Sequence, residues 1–435
     1  MARTTLVRLL IVLGSCCAAT SVYAEPESLE QAWREALAHD PALAAVNQEF
    51  ESALASERAA RGARLPSLGV GANFTQYADA PALVIAAPGL SFQSPRIFDN
   101  DNSSNRFAEL KLPLYAGGSI GAGVRAASAT RRAAESEQAG ALASLKLEVA
   151  ERFVDVLRTR SSVEYAAAQV AALRSHLRDV EVMTETGAVS RSDLLASKVA
   201  LANAEQQRLR AVSAAAQARA AYNRRLGRPL DQEPDLVAQV RLADDIAGND
   251  LAALQALALR TRSEVSALSA RADALRAQSR AELGRLLPQV DAVAGYTHLE
   301  ATVLDRQDFT MVGVGVSWRL FDGGQTRNRA ASLRRAGQAL ELRKDDLTSA
   351  IQMEVQQLWL GLGEADARIA ATRDAVAQAD ENLRMSHELY SAQLIANTQV
   401  LEAVALQLSA AANARDAMLD ATLARLRLMR AVGAL

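Results

Sequence analysis

Cysteine is almost missing from this chain. Its two copies, Cys16 and Cys17, stand side by side near the start, so the rest of the polypeptide can build neither a disulfide nor a thiolate metal site. Aromatic residues make up only 4%, few for a large globular core, which normally draws on Phe, Tyr and Trp. An excess of one charge is lacking too. The 48 basic and 50 acidic residues leave a net charge of −2, which gives no electrostatic reason to expect nucleic acid. His39, His176, His298 and His387 are scattered without paired ligand spacing and read as helix-surface or strand-end residues. No nucleophile, base and orienting group recur at a recognisable spacing, so no enzyme, metal site or cofactor is expected. Gly313-x-Gly315 sits in a strand pattern with no phosphate-binding turn after it, and reads as a place of close backbone packing. Asp345-Asp346 falls on a polar helix face.

What is there is largely Ala and Leu, within 435 residues that are 50% hydrophobic. That composition suits long, closely packed helices. The beginning reads as an export signal: Arg3 and Arg8, an apolar run from Leu9 to Leu13 too short to span a bilayer, then the small-x-small site Val22-Tyr23-Ala24. Residues 1–24 are therefore expected to be removed. A second reading makes Leu13-Gly14-Ser15-Cys16 a lipidation box with Cys16 as the acceptor.

The remainder is one unit written twice. Leu29 matches Leu251 and Leu65-Pro66 matches Leu287-Pro288, both at a shift of 222. Further on, Leu114-Tyr115-Ala116-Gly117-Gly118 matches Leu320-Phe321-Asp322-Gly323-Gly324 at a shift of 206. The difference of 16 residues falls in Pro81 to Asn102, a stretch rich in Pro, Gly, Asn and Ser that reads as a long loop. Its counterpart near Thr302 to Asp308 is short. The expected units are residues 25–228 and 250–435, joined by an irregular connector at 229–249. Each runs helix, strand, loop, strand, very long helix, turn, helix. The opening helices are expected near Leu29 to Gly62, with a break at Asp40-Pro41, and near Leu251 to Leu286.

The long helices carry a seam. In the first unit it reads Leu142, Leu145, Val149, Arg152, Val156, Thr159, Val163, Ala166, Val170, Leu173, Leu177 and Val180. In the second it reads Thr348, Ile351, Val355, Leu358, Leu362, Ala365, Ile369, Thr372, Val376, Ala379, Leu383 and Ser386. Steps of three and four alternate without a slip, which predicts left-handed coiled-coil hairpins over about 119–227 and 325–432. With no proline from Gly118 to Gly187, one helix extends over roughly 100 Å.

Four short segments alternate instead with period two: strands at about 67–78, 104–115, 288–299 and 309–321. Leu68, Val70, Ala72 and Phe74 are separated by Gly69, Gly71 and Asn73. Val312, Val314, Val316 and Trp318 are separated by Gly313, Gly315 and Ser317. This is the pattern of an outer-membrane barrel wall, lipid-facing on one side. Tyr77, Tyr115, Tyr296, Trp318 and Phe321 fall near strand ends, where membrane-interface aromatics belong. Four strands cannot close a barrel, which needs about eight. An open edge in lipid leaves backbone groups unpaired at several kcal/mol each. The chain must share its barrel with copies of itself.

The order of these features resembles the TolC-like outer-membrane efflux proteins, over nearly the whole length from Leu29 onward. The residues that carry the likeness are Asp40-Pro41, the two Leu-Pro strand entries, the two Gly-Gly strand exits, and Glu388-Leu389-Tyr390 through Val400-Leu401-Glu402. The resemblance implies a mostly α fold with a transmembrane β part. A homotrimer would build one 12-stranded outer-membrane β-barrel continuing into a periplasmic α-helical barrel, with the connector in a belt around it. It further implies a passive outlet for small molecules or polypeptide in efflux or type I secretion. The partners would be a periplasmic adaptor and an inner-membrane transporter of RND, ABC or MFS type. By the same likeness the turns Thr186–Ser190 and Ser391–Ile395 form the periplasmic entrance. Gly187, Tyr390 and Gln393 are then the adaptor-docking tips. Gln399 and Glu402 stand where the family has acidic rings, Ile395 where it has an arginine, and Asp193 where it has that arginine's partner. Only Glu402 and Asp193 keep their charge, and Gln393 replaces the usual turn glycine. The competing class is a periplasmic coiled-coil adaptor, which has one hairpin and no lipid-facing strands.

Overall fold

The computed structural model describes residues 26–87, 90–98, 101–238, 250–301 and 304–435. The expected export segment, both cysteines and the far part of the connector lie outside them. The elements are α1 (Leu29–His39), α2 (Pro41–Gly62), β1 (Ser67–Gln76), β2 (Ala82–Ala87), β3 (Leu90–Arg96), β4 (Asn102–Ala116), α3 (Ser119–Glu185) and α4 (Arg191–Leu226). Then follow α5 (Leu251–Thr261), α6 (Ser263–Gly284), β5 (Gln289–Leu299), β6 (Asp308–Ser317), α7 (Gln325–Ser391) and α8 (Asn397–Ala431).

The first helical break has a local cause. Asp40 ends α1 in an extended conformation, and its Oδ1 accepts the Leu43 N–H at 2.9 Å while Pro41 opens α2. The carboxylate is buried and meets Arg225, which also donates to Glu148 at 2.8 Å. The second unit was expected to open with one continuous helix. It breaks as well, at Arg262, the residue 222 positions after Asp40. There is no proline to force it. Instead the buried Arg262 guanidinium pairs with Glu264 at 3.1 Å and with Glu354, which stands at the place of Glu148. Ala431 replaces Arg225 in this copy. The second cation comes from Arg430 instead, one residue earlier, which reaches Glu264 at 2.7 Å.

Two glycine pairs turn the strands into the long helices. Gly117, Gly118, Gly323 and Gly324 all have positive φ, between 58° and 81°. At Gly117 a Cβ would lie 2.1 Å from the Gly284 carbonyl oxygen, so only glycine fits.

Helices α3 and α7 have 67 residues each, about 100 Å of helix. Every seam residue from Leu142 to Val180, and from Thr348 to Ser386, is buried or half-buried. The 3.5-residue period thus gives the packing faces directly. Near the sheet, α2, α3, α6 and α7 lie side by side; farther away the order is α4, α3, α8, α7. The largest apolar cluster, around Phe153, Tyr222, Leu226 and Leu426, ties α1, α3, α4 and α8 together at mid-height. There Arg228 holds Glu27 at 2.7 Å and Glu35 at 2.6 Å, while Glu27 bridges to Leu236 of the connector.

The main sheet is antiparallel in the order β1-β4-β5-β6. Its register aligns the apolar positions into one face: Leu68, Leu110, Ala294 and Val312 form a single row across it. Four differences from expectation stand out. The stretch read as a loop at Pro81 to Asn102 contains the hairpin β2–β3. Its run Ala82–Ala87 is apolar and β-branched enough to pair, which the flanking Pro and Gly disguise. Strand β4 starts at Asn102 and is longer than read. Strand β6 stops at Ser317, so Trp318 and Phe321 follow the strand rather than end it. Finally, His176 is 1% exposed and is no surface residue.

Candidate channel entrance

The two hairpins end together. In the first, Gly187 takes φ +73° and closes the α3 turn, with Ala188 N–H donating to Met183 O at 2.8 Å. Ser190 then caps α4 in a capping box with Asp193: Ser190 Oγ accepts the Asp193 N–H at 3.2 Å, and Asp193 Oδ2 accepts the Ser190 N–H at 3.2 Å. In the second, Gln393 takes φ +62°, one of two non-glycine residues with positive φ among the described residues. Its side-chain amide donates to Ala188 O at 3.1 Å, so the strained residue also ties one turn to the other.

Behind the turns lies a buried polar knot. Asn397, 2% exposed at the start of α8, accepts from His176 Nε2 at 2.6 Å through Oδ1, which puts the ring proton on Nε2. Its Nδ2 donates to Asp193 O at 3.1 Å and to Ser197 Oγ at 3.1 Å. One side chain thereby joins α3, α4 and α8. The His387 ring meets His176 edge-on at 5.8 Å, and Tyr390, one turn further along α7, lies 5.3 Å from His176. Burial, and then the facing His176, lower the His387 pKa below its ordinary value. Burial, and then Asp193, raise that of Tyr390, whose buried hydroxyl has no hydrogen-bond partner.

The residues singled out from sequence take distinct places around this knot. Tyr390 lies inside the tip, in an apolar cluster with Val180 and Val400, and Ile395 packs against it. Asp193 serves its own helix cap. Gln399 and Glu402 are exposed one turn apart on α8, and Glu402 has no ion partner among the described residues. Gly187 and Gln393 are exposed at the turns. His176, Ser197 and Asn397 escaped sequence reading. His176 stands one position off the seam, beside Leu177, in a heptad column with the polar Ser162 and Gln169, so residue spacing carried no signal for its burial.

At the other end of the molecule the apolar sheet face is bare: Val70 is 79% exposed and Val312 87%. Tyr77, stacked on Phe98 at 5.3 Å, and Tyr296 lie toward the loop end of the strands. Tyr115, Trp318 and Phe321 lie at the helix end, where Trp318 Nε1 donates to Leu286 O at 2.9 Å. The aromatics thus mark two levels, as at the two interfaces of a bilayer. Among the described residues no helix is long and apolar enough to cross a membrane; the exposed apolar surface of bilayer height belongs to the strands. On the opposite sheet face Lys111 pairs with Asp291 at 3.1 Å, and Phe107 covers Gly71.

The sequence model of outer membrane efflux proteins matches residues 32–228 and 254–434. No curated protein sequence gives a significant match. Solved structures of the same fold include the outer membrane protein VceC of Vibrio cholerae, 20% identical with a TM-score of 0.78, the match covering 93% of this chain and 96% of that one. The CmeC outer membrane channel of Campylobacter jejuni is 12% identical with a TM-score of 0.80, covering 100% and 94%. The open-state MtrE outer membrane channel of Neisseria gonorrhoeae is 15% identical with a TM-score of 0.76, covering 93% and 88%. A tandem-repeat sheet joined to long helical hairpins defines the class of outer-membrane ducts. The chain belongs to the outer membrane efflux protein family. It is an efflux channel of the outer membrane, and the reading as a periplasmic adaptor is set aside.

Proposed function

We propose that three copies of this chain form one continuous duct, a twelve-stranded barrel in the outer membrane above a helical cylinder in the periplasm. The observation that carries this is that both layers end in open edges. The sheet stops at β1 and β6, with no strand beyond either among the described residues. The far helical layer stops at α4 and α7, and both expose apolar residues, such as Leu195 and Val199 on one and Met353 and Leu360 on the other. Head-to-tail addition of copies covers both pairs of edges at once, and a rotation that closes gives a ring. Two copies give eight strands, whose interior side chains fill; three give a usable pore. The units are residues 25–228 and 250–435, with 229–249 in the belt and 1–24 removed on export.

The duct is passive. Its tips meet a periplasmic adaptor at Gly187 and Gln393, with Tyr390 shaping the floor beneath. The adaptor couples the duct to an inner-membrane transporter of RND, ABC or MFS type, and small molecules or polypeptide leave through it. Glu402, exposed and unpaired near the tip, forms one acidic ring at the entrance with Gln399 beside it, giving mild cation preference. Single-channel recording of Glu402→Gln in planar bilayers tests the ring. Reduced preference for cations is expected; unchanged selectivity removes the ring from the account. Cross-linking from Gly187→Cys to the co-expressed adaptor tests the docking site.

A further inference from the structure

The internal repeat gives a template for the contact between copies. Within one chain, α3 of the first unit packs on α8 of the second through the stripe Leu147, Glu151, Val154, Arg158 and Ser161. Arg158 reaches Asp420 at 2.6 Å and Asp416 at 3.8 Å, and Arg427 reaches Glu151 at 2.7 Å. At a shift of 206 the same stripe on α7 is Met353, Gln357, Leu360, Glu364 and Ala367, and all five are exposed. The counterpart of the α8 face is the α4 face Arg210, Ser213, Ala214 and Gln217, also exposed.

The substitutions between template and counterpart compensate one another. On α7, Leu360 and Trp359 stand where the smaller Val154 and Phe153 are buried. On α4, the smaller Ser213 and Ala214 stand for Leu419 and Asp420, and the polar Gln217 stands for Leu423. The charges exchange sides. Arg158 and Asp416 become Glu364 and Arg210, and neither has an ion partner among the described residues. Larger side chains facing smaller ones, with a reversed ion pair, are what two complementary surfaces require.

We infer that α7 of one copy seats on α4 of the next copy in the register that α3 uses on α8, with Leu360 over Gln217 and Glu364 beside Arg210. This rests on the oligomer proposed above and adds its register and its specificity. The reversed pair has a consequence for assembly. An α7 stripe offered to α8 would bring Glu364 against Asp416 and Asp420, so the correct neighbour is favoured by repulsion from the wrong one.

Full-length protein extracted from the outer membrane in detergent carries the test. Glu364→Arg and Arg210→Glu should each lose the oligomer band at a temperature the wild type survives, and the double exchange should restore it. In parallel, Leu360→Cys with Gln217→Cys should be joined between chains by a short bismaleimide. Leu360→Cys with Arg224→Cys, one heptad away, should not. These positions are exposed in the chain, so folding is not at risk. Wild-type oligomer with no rescue by the exchange, or with equal linking at both pairs, overturns the register alone. A monomeric wild type overturns the oligomer itself.

Discussion

Replacing Asn397 by alanine should loosen the channel entrance without unfolding the protein. The side chain makes three hydrogen bonds, to His176 Nε2, Asp193 O and Ser197 Oγ, at 2.6, 3.1 and 3.1 Å. Two of these removals each cost about 1 kcal/mol net. The third strands a buried histidine donor, which costs about 1–3 kcal/mol because water cannot reach it. The sum of about 3–5 kcal/mol falls on the tip alone, since the main apolar cluster lies far along the helices. It shifts the local opening equilibrium by at least about a hundredfold. Native-state hydrogen exchange reads this directly: amides of Asp193 to Ser197 and of the first turn of α8 should exchange faster by that factor, while those around Phe153 stay unchanged. In bilayers the same variant should spend more time open. Asn397→Asp keeps an acceptor for His176 and should fall between. Exchange at the tip within about threefold of wild type, well under 1 kcal/mol, would refute the claim that Asn397 clamps the hairpins.

Other consequences follow from the same geometry. Because burial and His176 hold the His387 pKa below its ordinary 6.5, the tip gains stability from neutral His387 at pH above that value. The contribution is lost as pH falls below about 6.5 through the lowered folded-state pKa. Protection factors at the tip, the exchange rates divided by the intrinsic rate at each pH, should therefore fall on acidification, and less so in His387→Leu; identical pH profiles would discard the assignment. Gln393→Val should destabilise the second turn by about 2 kcal/mol, since a β-branched residue tolerates positive φ poorly and the bond to Ala188 is lost. Limited proteolysis at the turn measures it. Val314→Arg should weaken the membrane-inserted form by about 2–4 kcal/mol if this face meets lipid. A water-facing position at 65% exposure would change by less than about 0.5 kcal/mol, and reversible unfolding in lipid vesicles separates the two.

Much of the fold was legible because long periodic signals dominate it. The seams from Leu142 and from Thr348 run without a break, so helix faces followed from residue spacing alone. The two αL glycine pairs marked where strand becomes helix. The misses share a different cause. At Arg262 the helix breaks where a buried guanidinium pairs with Glu264 and, across to α7, with Glu354, a largely tertiary reason that no proline announces. The hairpin β2–β3 hid between prolines and glycines that signal loops. At the proposed entrance, Glu402 and the turn residues were named by likeness alone. The knot of His176, Ser197 and Asn397 could not be named, because its members lie 200 or more positions apart in pairs such as Ser197 and Asn397. Only the packing of α3 and α4 on α8 brings them together.

The central claim is that four strands per chain are completed by neighbouring copies. The mass of the particle extracted from the outer membrane in mild detergent, measured by native mass spectrometry, tests it most directly. A particle of three chains, with a conductance in planar bilayers, is the predicted result. A stable single chain that remains in the aqueous fraction would contradict the account.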